Sequence, residues 1–317
     1  MRTFFVVKKS GFITSMDLGT GFTKTRIAPT PSGFSHLGNV LSFAITAALA
    51  KRYGAKILLR IDNMDRDRVH KEYVQDIFDT LHFLGIPWDE GPRNFAEFEA
   101  SYSQLHRMEM YRQGLERLKE GGHVFACVCS RSQILRDSSK GLYPGTCRDK
   151  KISFEGEDVC WRLKTDEEKK LAVKVLVPGE PVNASVVQQR LPETMQYVVV
   201  RRKDRFPAYQ LTSLLDDLYY GVDLIIRGQD LWDSTLAQHY LSFSLGQDRF
   251  RDITFYHHSL LMGSSQQKLS KSAGDPSVYY LRQQGLKPAE IYSRIARNLG
   301  KQERVGRWEE LVEVLGI

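Results

Sequence analysis

Apolar residues occur in two patterns that alternate along the chain. Short continuous runs such as KILLRI (56–61) are typical of strands buried in a parallel sheet, and stretches with helical spacing follow them. This alternation indicates βαβ units, so we expect an α/β fold with a Rossmann-like doubly wound parallel sheet. The predicted strands are 24–28, 56–61, 161–176, 197–202 and 222–227. The predicted helices are 40–52, 69–84, 102–120, 211–220 and 231–245.

Residues 123–158 break this pattern. They contain three of the four cysteines, several glycines and a proline, and little periodicity, which predicts an insertion folded around something other than an apolar core. About fifteen leading residues are expected to form a short lead or an added edge strand. The predicted organisation is 1–122 for the first half of the α/β domain, 123–158 for the insertion, 159–272 for the second half, and 273–317 for a short helical segment.

Composition narrows the class of protein. The chain has 317 residues, of which 42% are hydrophobic, and no apolar run approaches the roughly 18 residues that a membrane span requires. The first residues lack the features of a secretory signal, so we expect a cytoplasmic monomer without a membrane partner. The formal charge of +7 favours polyanionic partners such as nucleic acid.

A loop rich in glycine and proline follows the first predicted strand, with the sequence RIAPTPSGFSHLGN over 26–39. Where such a loop enters a helix, backbone N–H groups and the positive helix end point towards an anion above the sheet. His36 can donate a hydrogen bond to phosphate, and Gly33 and Gly38 allow the backbone to approach a ligand. A glycine-containing turn with an unrelated histidine explains the HxGN pattern equally well.

A second polar motif, KLSKS, lies at 268–272. Two lysines three residues apart with interleaved serines can neutralise a polyphosphate and donate hydrogen bonds to it. Alone, the pentapeptide is better explained as a solvated loop. The order of the two motifs, HxGN near the start and KLSKS about 230 residues later, favours a nucleotide site over either alternative.

The cysteines suggest a metal site. Cys127, Cys129 and Cys147 lie within 21 residues of one another, and Tyr143 lies among them. Three thiolates and a phenol oxygen can complete a tetrahedral zinc site, which would be structural because no coordination position stays open. Buried free thiols are the alternative, since C-x-C is less diagnostic than C-x-x-C. Cys160 falls on a predicted strand and is expected in the core.

The order of these motifs resembles that of the catalytic domain of glutamyl-tRNA synthetases, which are class I aminoacyl-tRNA synthetases. The resemblance covers about 24–280 and rests on R-x-A-P-x-P-x-G-x-x-H-x-G, LRID, AYQL, IRGQD and KLSKS. It implies HIGH- and KMSKS-type motifs around ATP and Mg²⁺. It further implies catalytic roles for His36, Asn39, Lys268 and Lys271, ATP binding by these four with Gly38, Leu269, Ser270 and Ser272, and glutamate binding by Arg26, Ile27, Ala28, Pro29, Thr30, Asp62, Tyr209 and Arg227.

The residue types in the implied amino-acid pocket agree with this substrate. Two guanidinium groups suit a dicarboxylic amino acid, and one carboxylate can pair with its α-ammonium. A structural ion pair is the alternative for Asp62 and Arg227. Two positions depart from the family pattern: Asn39 stands where histidine is common in class I enzymes, and Asp62-Asn63 stands where Glu-Asp is frequent. The shorter Asp62 makes its ammonium-binding role less secure.

Two features indicate a branch of the family. Only 45 residues follow Ser272, whereas full glutamyl-tRNA synthetases continue into a helical anticodon-binding region, and the C-x-C…Y-x-x-x-C pattern resembles that of glutamyl-queuosine tRNA(Asp) synthetases. This resemblance implies activation of L-glutamate with ATP and its transfer to queuosine in the anticodon loop of tRNA(Asp), with one structural Zn²⁺. Three alternatives remain: a minimal glutamyl-tRNA synthetase that charges the tRNA 3′ end, a non-catalytic RNA-binding paralog, and a small nucleotidyltransferase.

Overall fold

The computed structural model of the protein describes residues 14–17, 21–177, 183–261 and 277–317. The strands in these ranges are β1 Thr14–Asp17, β2 Lys24–Ile27, β3 Lys56–Leu59, β4 Val124–Cys127, β5 Cys160–Leu163, β6 Lys170–Val177, β7 Asn183–Arg190, β8 Val199–Arg201, β9 Leu224–Gly228 and β10 Thr254–His258. The helices are α1 Leu37–Tyr53, α2 Lys71–Leu84, α3 Phe95–Glu97, α4 Met108–Glu120, α5 Arg131–Asp137, α6 Tyr209–Tyr219, α7 Trp232–Ser244, α8 Val278–Gln283, α9 Pro288–Asn298 and α10 Trp308–Leu315.

Two sets of parallel strands meet at the middle of the fold. Strand β2 pairs in parallel with β3, while β10 pairs in parallel with β9 and β6. The two sets are joined where the Asp223 N–H donates to the Lys24 carbonyl at 3.0 Å, which sets β2 beside β9. From β2 the chain continues to β3 on one side of this junction, and from β9 it continues to β10 on the other side. In open α/β sheets such a switch point opens a crevice at the carboxyl ends of the strands.

The predicted α/β class is confirmed, but the sheet is not purely parallel. Strand β7 pairs antiparallel with β6, and β1 pairs antiparallel with β7, so the five-stranded sheet is mixed. Only residues 178–182 separate β6 from β7, which is too short for the crossover that parallel neighbours need. A further antiparallel sheet contains β4, β5 and β8. Strand β1 covers the end of the leading segment for which a short lead or an added edge strand was predicted, and residues 1–13 lie outside the described residues.

Helices cover both faces of the parallel strands. In β9, Leu224 and Ile226 pack into a core that includes α1, α2, α9 and α10, while Ile225 packs into a second core with α4, α6 and α7. Burial on both faces explains the continuous apolar runs that predicted these strands. No helix within the described ranges combines the length and apolar character that a membrane crossing demands.

The three-stranded sheet carries the cysteine-rich region. Strand β4 pairs with β5 and ends at Cys127, which lies opposite Cys160. One face of this sheet packs into the second core through residues such as Trp161 and Val200, and the other face carries a small cluster of Phe125, Tyr197 and the cysteines. The sheet joins residues on both sides of the predicted boundary at 158, and the four-part division of the chain stays a prediction.

Candidate active site

A cleft of about 560 Å³ opens at the carboxyl ends of β2 and β9. The loop after β2 forms one wall and is held beside the end of β3, because the Asp62 N–H donates to the Pro29 carbonyl at 2.9 Å. The cleft is lined by ten of the residues that the sequence predicted for ATP or glutamate binding: Arg26, Ile27, Ala28, Pro29, Thr30, His36, Asn39, Asp62, Tyr209 and Arg227. Gly38 lies in the first turn of α1, and Lys268, Leu269, Ser270, Lys271 and Ser272 lie outside the described residues.

The HxGN motif forms the beginning of α1. His36 caps the helix: its Nδ1 accepts from the Gly38 N–H at 3.1 Å, and its own N–H donates to Asn39 Oδ1 at 3.0 Å. A Cβ at Gly38 would lie 3.0 Å from His36 Cε1, so glycine lets the ring fold over the helix end. Because Nδ1 accepts, a neutral His36 carries its proton on Nε2, and that atom can donate to an anion.

The loop that precedes His36 is anchored by a buried carboxylate. Asp76 on α2 is 2% exposed, and its Oδ2 accepts from the Ser35 N–H at 2.9 Å. Its Oδ1 accepts from Arg282 Nη2 of α8 at 2.8 Å. The Ser35 carbonyl in turn accepts from the Val278 N–H at 2.8 Å. The helix that follows the predicted KLSKS segment is thus tied directly to the HxGN loop.

Three arginines and two aspartates form a buried network in the floor of the cleft. Arg60 forks onto Asp62, with Nε to Oδ1 at 2.7 Å and Nη2 to Oδ2 at 3.0 Å. Asp217 Oδ1 accepts from Arg60 Nη1 at 2.6 Å and from Arg26 Nε at 3.1 Å. All are at most 5% exposed. Arg60 Nε also lies 4.0 Å from Asp216 Oδ2, and Asp216 is itself paired with Arg107. Counted with that pair, four arginines meet three aspartates, so the cleft favours an anionic ligand.

Arg227 is the least compensated of these cations. It is 3% exposed, and its Nη1 donates to Thr235 Oγ1 and Gln238 Oε1. Its Nε and Nη2 have no hydrogen-bond partner among the described residues, and Asp217 Oδ2 lies 3.9 Å from Nη2. Burial lowers the pKa of Arg227 to about 10. A buried guanidinium whose N–H groups lack acceptors is stabilised when a carboxylate or phosphate ligand binds to it.

Sequence reasoning missed Arg60 and the neighbouring pair Asp216 and Asp217. Both aspartates are 0% exposed on α6, in the largely apolar sequence LLDDLYY. Charged residues are almost never fully buried unless paired, so two adjacent aspartates on the inner face of a helix were a usable signal for a buried network. Arg60 lies two residues before Asp62 in LRID and offered no separate signal.

The cysteines form a second group, separate from the cleft lining. The thiol sulfurs of Cys127, Cys129 and Cys147 lie within 4.8 Å of one another, with Cys129 Sγ and Cys147 Sγ 3.5 Å apart. Tetrahedral zinc with bonds of about 2.3 Å separates its sulfur ligands by roughly 3.8 Å, so this group can hold a zinc-sized metal ion. Tyr143 joins the group, since its Oη accepts from the Cys147 N–H at 2.7 Å. Cys160 lies beside it on β5 and donates to the Cys127 carbonyl at 3.3 Å.

Comparison with known proteins identifies the family. Residues 23–311 match the family described as tRNA synthetases class I (E and Q), catalytic domain. The protein belongs to this family, whose members are ligases.

Relatives in two groups are similar to the chain. A glutamate–tRNA ligase of Syntrophus aciditrophicus is 28% identical over 310 residues, which are 93% of this chain and 61% of the relative. A glutamyl-Q tRNA(Asp) synthetase of Symbiobacterium thermophilum is 33% identical over 307 residues, 92% of each chain. The chain thus spans about three fifths of the first relative. Glutamate-tRNA synthetase from Elizabethkingia anophelis shares the fold, with a TM-score of 0.68 and 20% identity over 92% of this chain and 65% of that one.

Proposed function

We propose that the protein activates L-glutamate with ATP and transfers it to queuosine in the anticodon loop of tRNA(Asp). The observation that carries the first half of this proposal is the pair Arg26 and Arg227 at the cleft. Arg227 has two buried donors without a partner, and Asp62 lies in the same cleft within reach of an α-ammonium group. An amino acid with a second carboxylate satisfies this arrangement of charges better than an uncharged one.

The first turn of α1 and its cap, His36, suggest how the adenylation step is catalysed. A carboxylate oxygen of glutamate attacks the α-phosphorus of ATP in line, and the bond to pyrophosphate breaks. His36 Nε2–H and the Asn39 amide NH₂ donate to the phosphate oxygens as charge develops, and the positive end of α1 adds a favourable dipole. Lys268 and Lys271 of KLSKS are proposed to bind the leaving pyrophosphate, and Mg²⁺ bound with ATP neutralises phosphate charge. The protein contributes positioning and electrostatics.

Transfer completes the proposed reaction. A hydroxyl of the queuosine cyclopentenediol attacks the glutamyl carbonyl carbon, and AMP leaves with the bonding electron pair. Support for this acceptor comes from the relative named glutamyl-Q tRNA(Asp) synthetase and from the C-x-C…Y-x-x-x-C pattern, whose members lie together. A structural zinc ion held by Cys127, Cys129, Tyr143 and Cys147 is part of the proposal.

The zinc group is proposed to shape the rim that receives RNA. The three-stranded sheet leads into the cleft through the loop between β8, which ends at Arg201, and α6, whose first residue Tyr209 lines the cleft. Lys203 in this loop donates from Nζ to the carbonyl of Val128, between the first two cysteines, at 3.1 Å. A basic loop that joins the cysteine group to the cleft suits a polyanionic acceptor.

The first test is glutamate-dependent exchange of pyrophosphate into ATP, without tRNA, for the wild-type chain and for Arg26→Ala. We expect exchange with glutamate, little with aspartate or glutamine, and a loss of about a hundredfold in Arg26→Ala because two charge-assisted hydrogen bonds disappear. No exchange with any amino acid, with or without tRNA, would support a non-catalytic RNA-binding paralog. Preference for aspartate or glutamine would overturn the pocket assignment.

A second function is transfer to the 3′ end of tRNA, as relatives named glutamate–tRNA ligase suggest. Mapping the acceptor separates the two functions. After the reaction with labelled glutamate, nuclease digestion should release the label with an anticodon-loop nucleotide that contains queuosine. Release with the terminal adenosine identifies the alternative. Transcripts that lack queuosine serve as the control and should accept no label under the main proposal.

A further inference from the structure

Two adjacent aspartates on α6 have equal burial and different surroundings. Asp216 and Asp217 are both 0% exposed. Asp216 accepts hydrogen bonds from groups outside the cleft lining, namely Arg107 Nε at 2.7 Å, Tyr111 Oη at 2.6 Å and Gln104 Nε2 at 2.9 Å, while Arg60 Nε lies farther away, at 4.0 Å from its Oδ2. Among the described residues, the charged partners of the Asp217 side chain are arginines that line the cleft. The Asp216 carboxylate therefore links α6 to α4 and the residues just before it, whereas the Asp217 carboxylate contacts the arginines of the cleft.

Asp217 is the common counter-ion of three arginines. Its Oδ1 lies 2.6 Å from Arg60 Nη1 and 3.1 Å from Arg26 Nε, and its Oδ2 lies 3.9 Å from Arg227 Nη2. Buried like charges repel strongly unless a carboxylate lies between them. Arg60 and Arg26 each donate to this carboxylate through one N–H group, so Asp217 helps to fix the orientation of both guanidinium groups.

The contacts continue to the other end of the proposed substrate. Arg60 binds Asp217 through Nη1 and forks onto Asp62 through Nε and Nη2. A continuous row of charge-assisted hydrogen bonds thus runs from Asp62 through Arg60 and Asp217 to Arg26. The proposed ammonium-binding carboxylate and the proposed carboxylate-binding arginine lie at opposite ends of this row.

We propose that Asp217 is a positioning residue that fixes the spacing between the ammonium-binding and carboxylate-binding groups of the amino-acid pocket. The inference rests on the proposed function, since it assigns Asp217 a role in glutamate binding. Asp217 does not touch the substrate: Arg26, Arg227 and Asp62 act on the amino acid, and Asp217, directly and through Arg60, holds them at the separation that glutamate requires.

The test compares Asp217→Asn with Asp216→Asn in glutamate-dependent pyrophosphate exchange. Both substitutions remove one fully buried charge from the same helix, so both are expected to lower thermal stability. Asp217→Asn should raise the KM for glutamate by about tenfold or more, because a charge-assisted hydrogen bond to each of two arginines is weakened, and should change the KM for ATP less than threefold. Asp216→Asn should leave both KM values within about threefold of wild type.

Equal effects of the two substitutions on the KM for glutamate would overturn the inference, because two aspartates with purely structural roles would change this KM to the same extent. If Asp217→Asn does not fold, Arg60→Lys takes its place: it keeps the positive charge and removes the fork that links Asp62 to Asp217. That variant should raise the KM for glutamate similarly, and an unchanged KM would overturn the inference. Absence of exchange in the wild-type chain removes the proposed function itself, whereas wild-type exchange with an insensitive Asp217→Asn removes only this inference.

Discussion

The cleft and the cysteine group are built in opposite ways. In the cleft, interacting groups such as Arg26 and Asp217 are 191 residues apart in the chain, and parallel strands with helices on both faces bring them together. The cysteine group draws Cys127, Cys129 and Cys147 from a short stretch, on a three-stranded sheet with a small aromatic cluster. Long-range packing holds the first site, and residues that are close in the chain form the second.

This difference determines what each site depends on. The cleft keeps buried charges in place because two large apolar cores surround it, so its geometry does not require a ligand. The cysteine group has few apolar neighbours, and metal binding supplies folding free energy in sites of this kind. Substitutions in the cleft should therefore change the KM for glutamate by amounts unrelated to their effect on stability, whereas substitutions of the clustered cysteines should lower stability and transfer to RNA together.

The largest effect is expected from Arg227→Met. Removal of this guanidinium should raise the KM for glutamate by about a hundredfold, since two charge-assisted hydrogen bonds to the substrate are lost. The free energy of unfolding should stay equal or increase, because the substitution replaces a buried cation with unpaired donors by an apolar side chain of similar length. Exchange kinetics and denaturant titration measure the two quantities.

Arg107→Met provides the matched control for this prediction. Arg107 is also buried, at 6% exposure, but it forks onto Asp216 and has no contact with the cleft. Its removal should lower the free energy of unfolding by about 3–5 kcal/mol, because the buried carboxylate of Asp216 loses the guanidinium that forks onto it. The KM for glutamate should stay unchanged. Two arginine variants with the same profile would contradict the distinction between a binding cation and a structural one.

The second prediction concerns Cys129→Ser. A serine hydroxyl is a poor zinc ligand, so bound zinc should fall from one ion per chain to about a tenth or less, and the thermal midpoint should fall with it. Transfer of glutamate to RNA should be lost, while pyrophosphate exchange stays within about threefold of wild type, because no cysteine lines the cleft. Elemental analysis, calorimetry and the two activity assays provide the measurements.

Chelation of the wild-type chain should reproduce the Cys129→Ser result, and restored zinc should reverse it. Loss of pyrophosphate exchange in parallel with zinc would show that the two sites are not independent. A wild-type chain without zinc after growth in zinc-rich medium would instead favour buried free thiols.

The contrast between the two sites also explains what the sequence could predict. Local signals were sufficient for the alternating strands and helices, for the HxGN loop at the helix start, and for the cysteine spacing. The antiparallel pairing of β6 with β7 was missed, because β7 has the largely polar sequence NASVVQQR and was not among the predicted strands. Asp217 was missed because its partners Arg26 and Arg60 are distant in the chain, and only the folded sheet brings them into contact.

A third, smaller effect is expected from Asp76→Asn. An amide cannot keep a charge-assisted bond to Arg282 while it accepts from the Ser35 N–H, so the HxGN loop and α8 should be less firmly connected. The KM for ATP should rise by about three- to tenfold, and the KM for glutamate should change little. Asp79→Asn, on the same helix and bonded only to Gln75, is the control and should be neutral. A rise confined to the KM for glutamate would contradict this role.

The smallest effect is expected from Cys160→Ala. Cys160 lies on β5 opposite Cys127, and its thiol donates to the backbone carbonyl of Cys127. It belongs to the core and is not one of the three clustered thiols. Its removal should leave bound zinc at one ion per chain and both activities unchanged. The small cavity should lower the thermal midpoint by about 2–4 °C. A loss of zinc comparable to that of Cys129→Ser would make Cys160 a ligand in place of Tyr143, which a Tyr143→Phe variant with full zinc content would then corroborate.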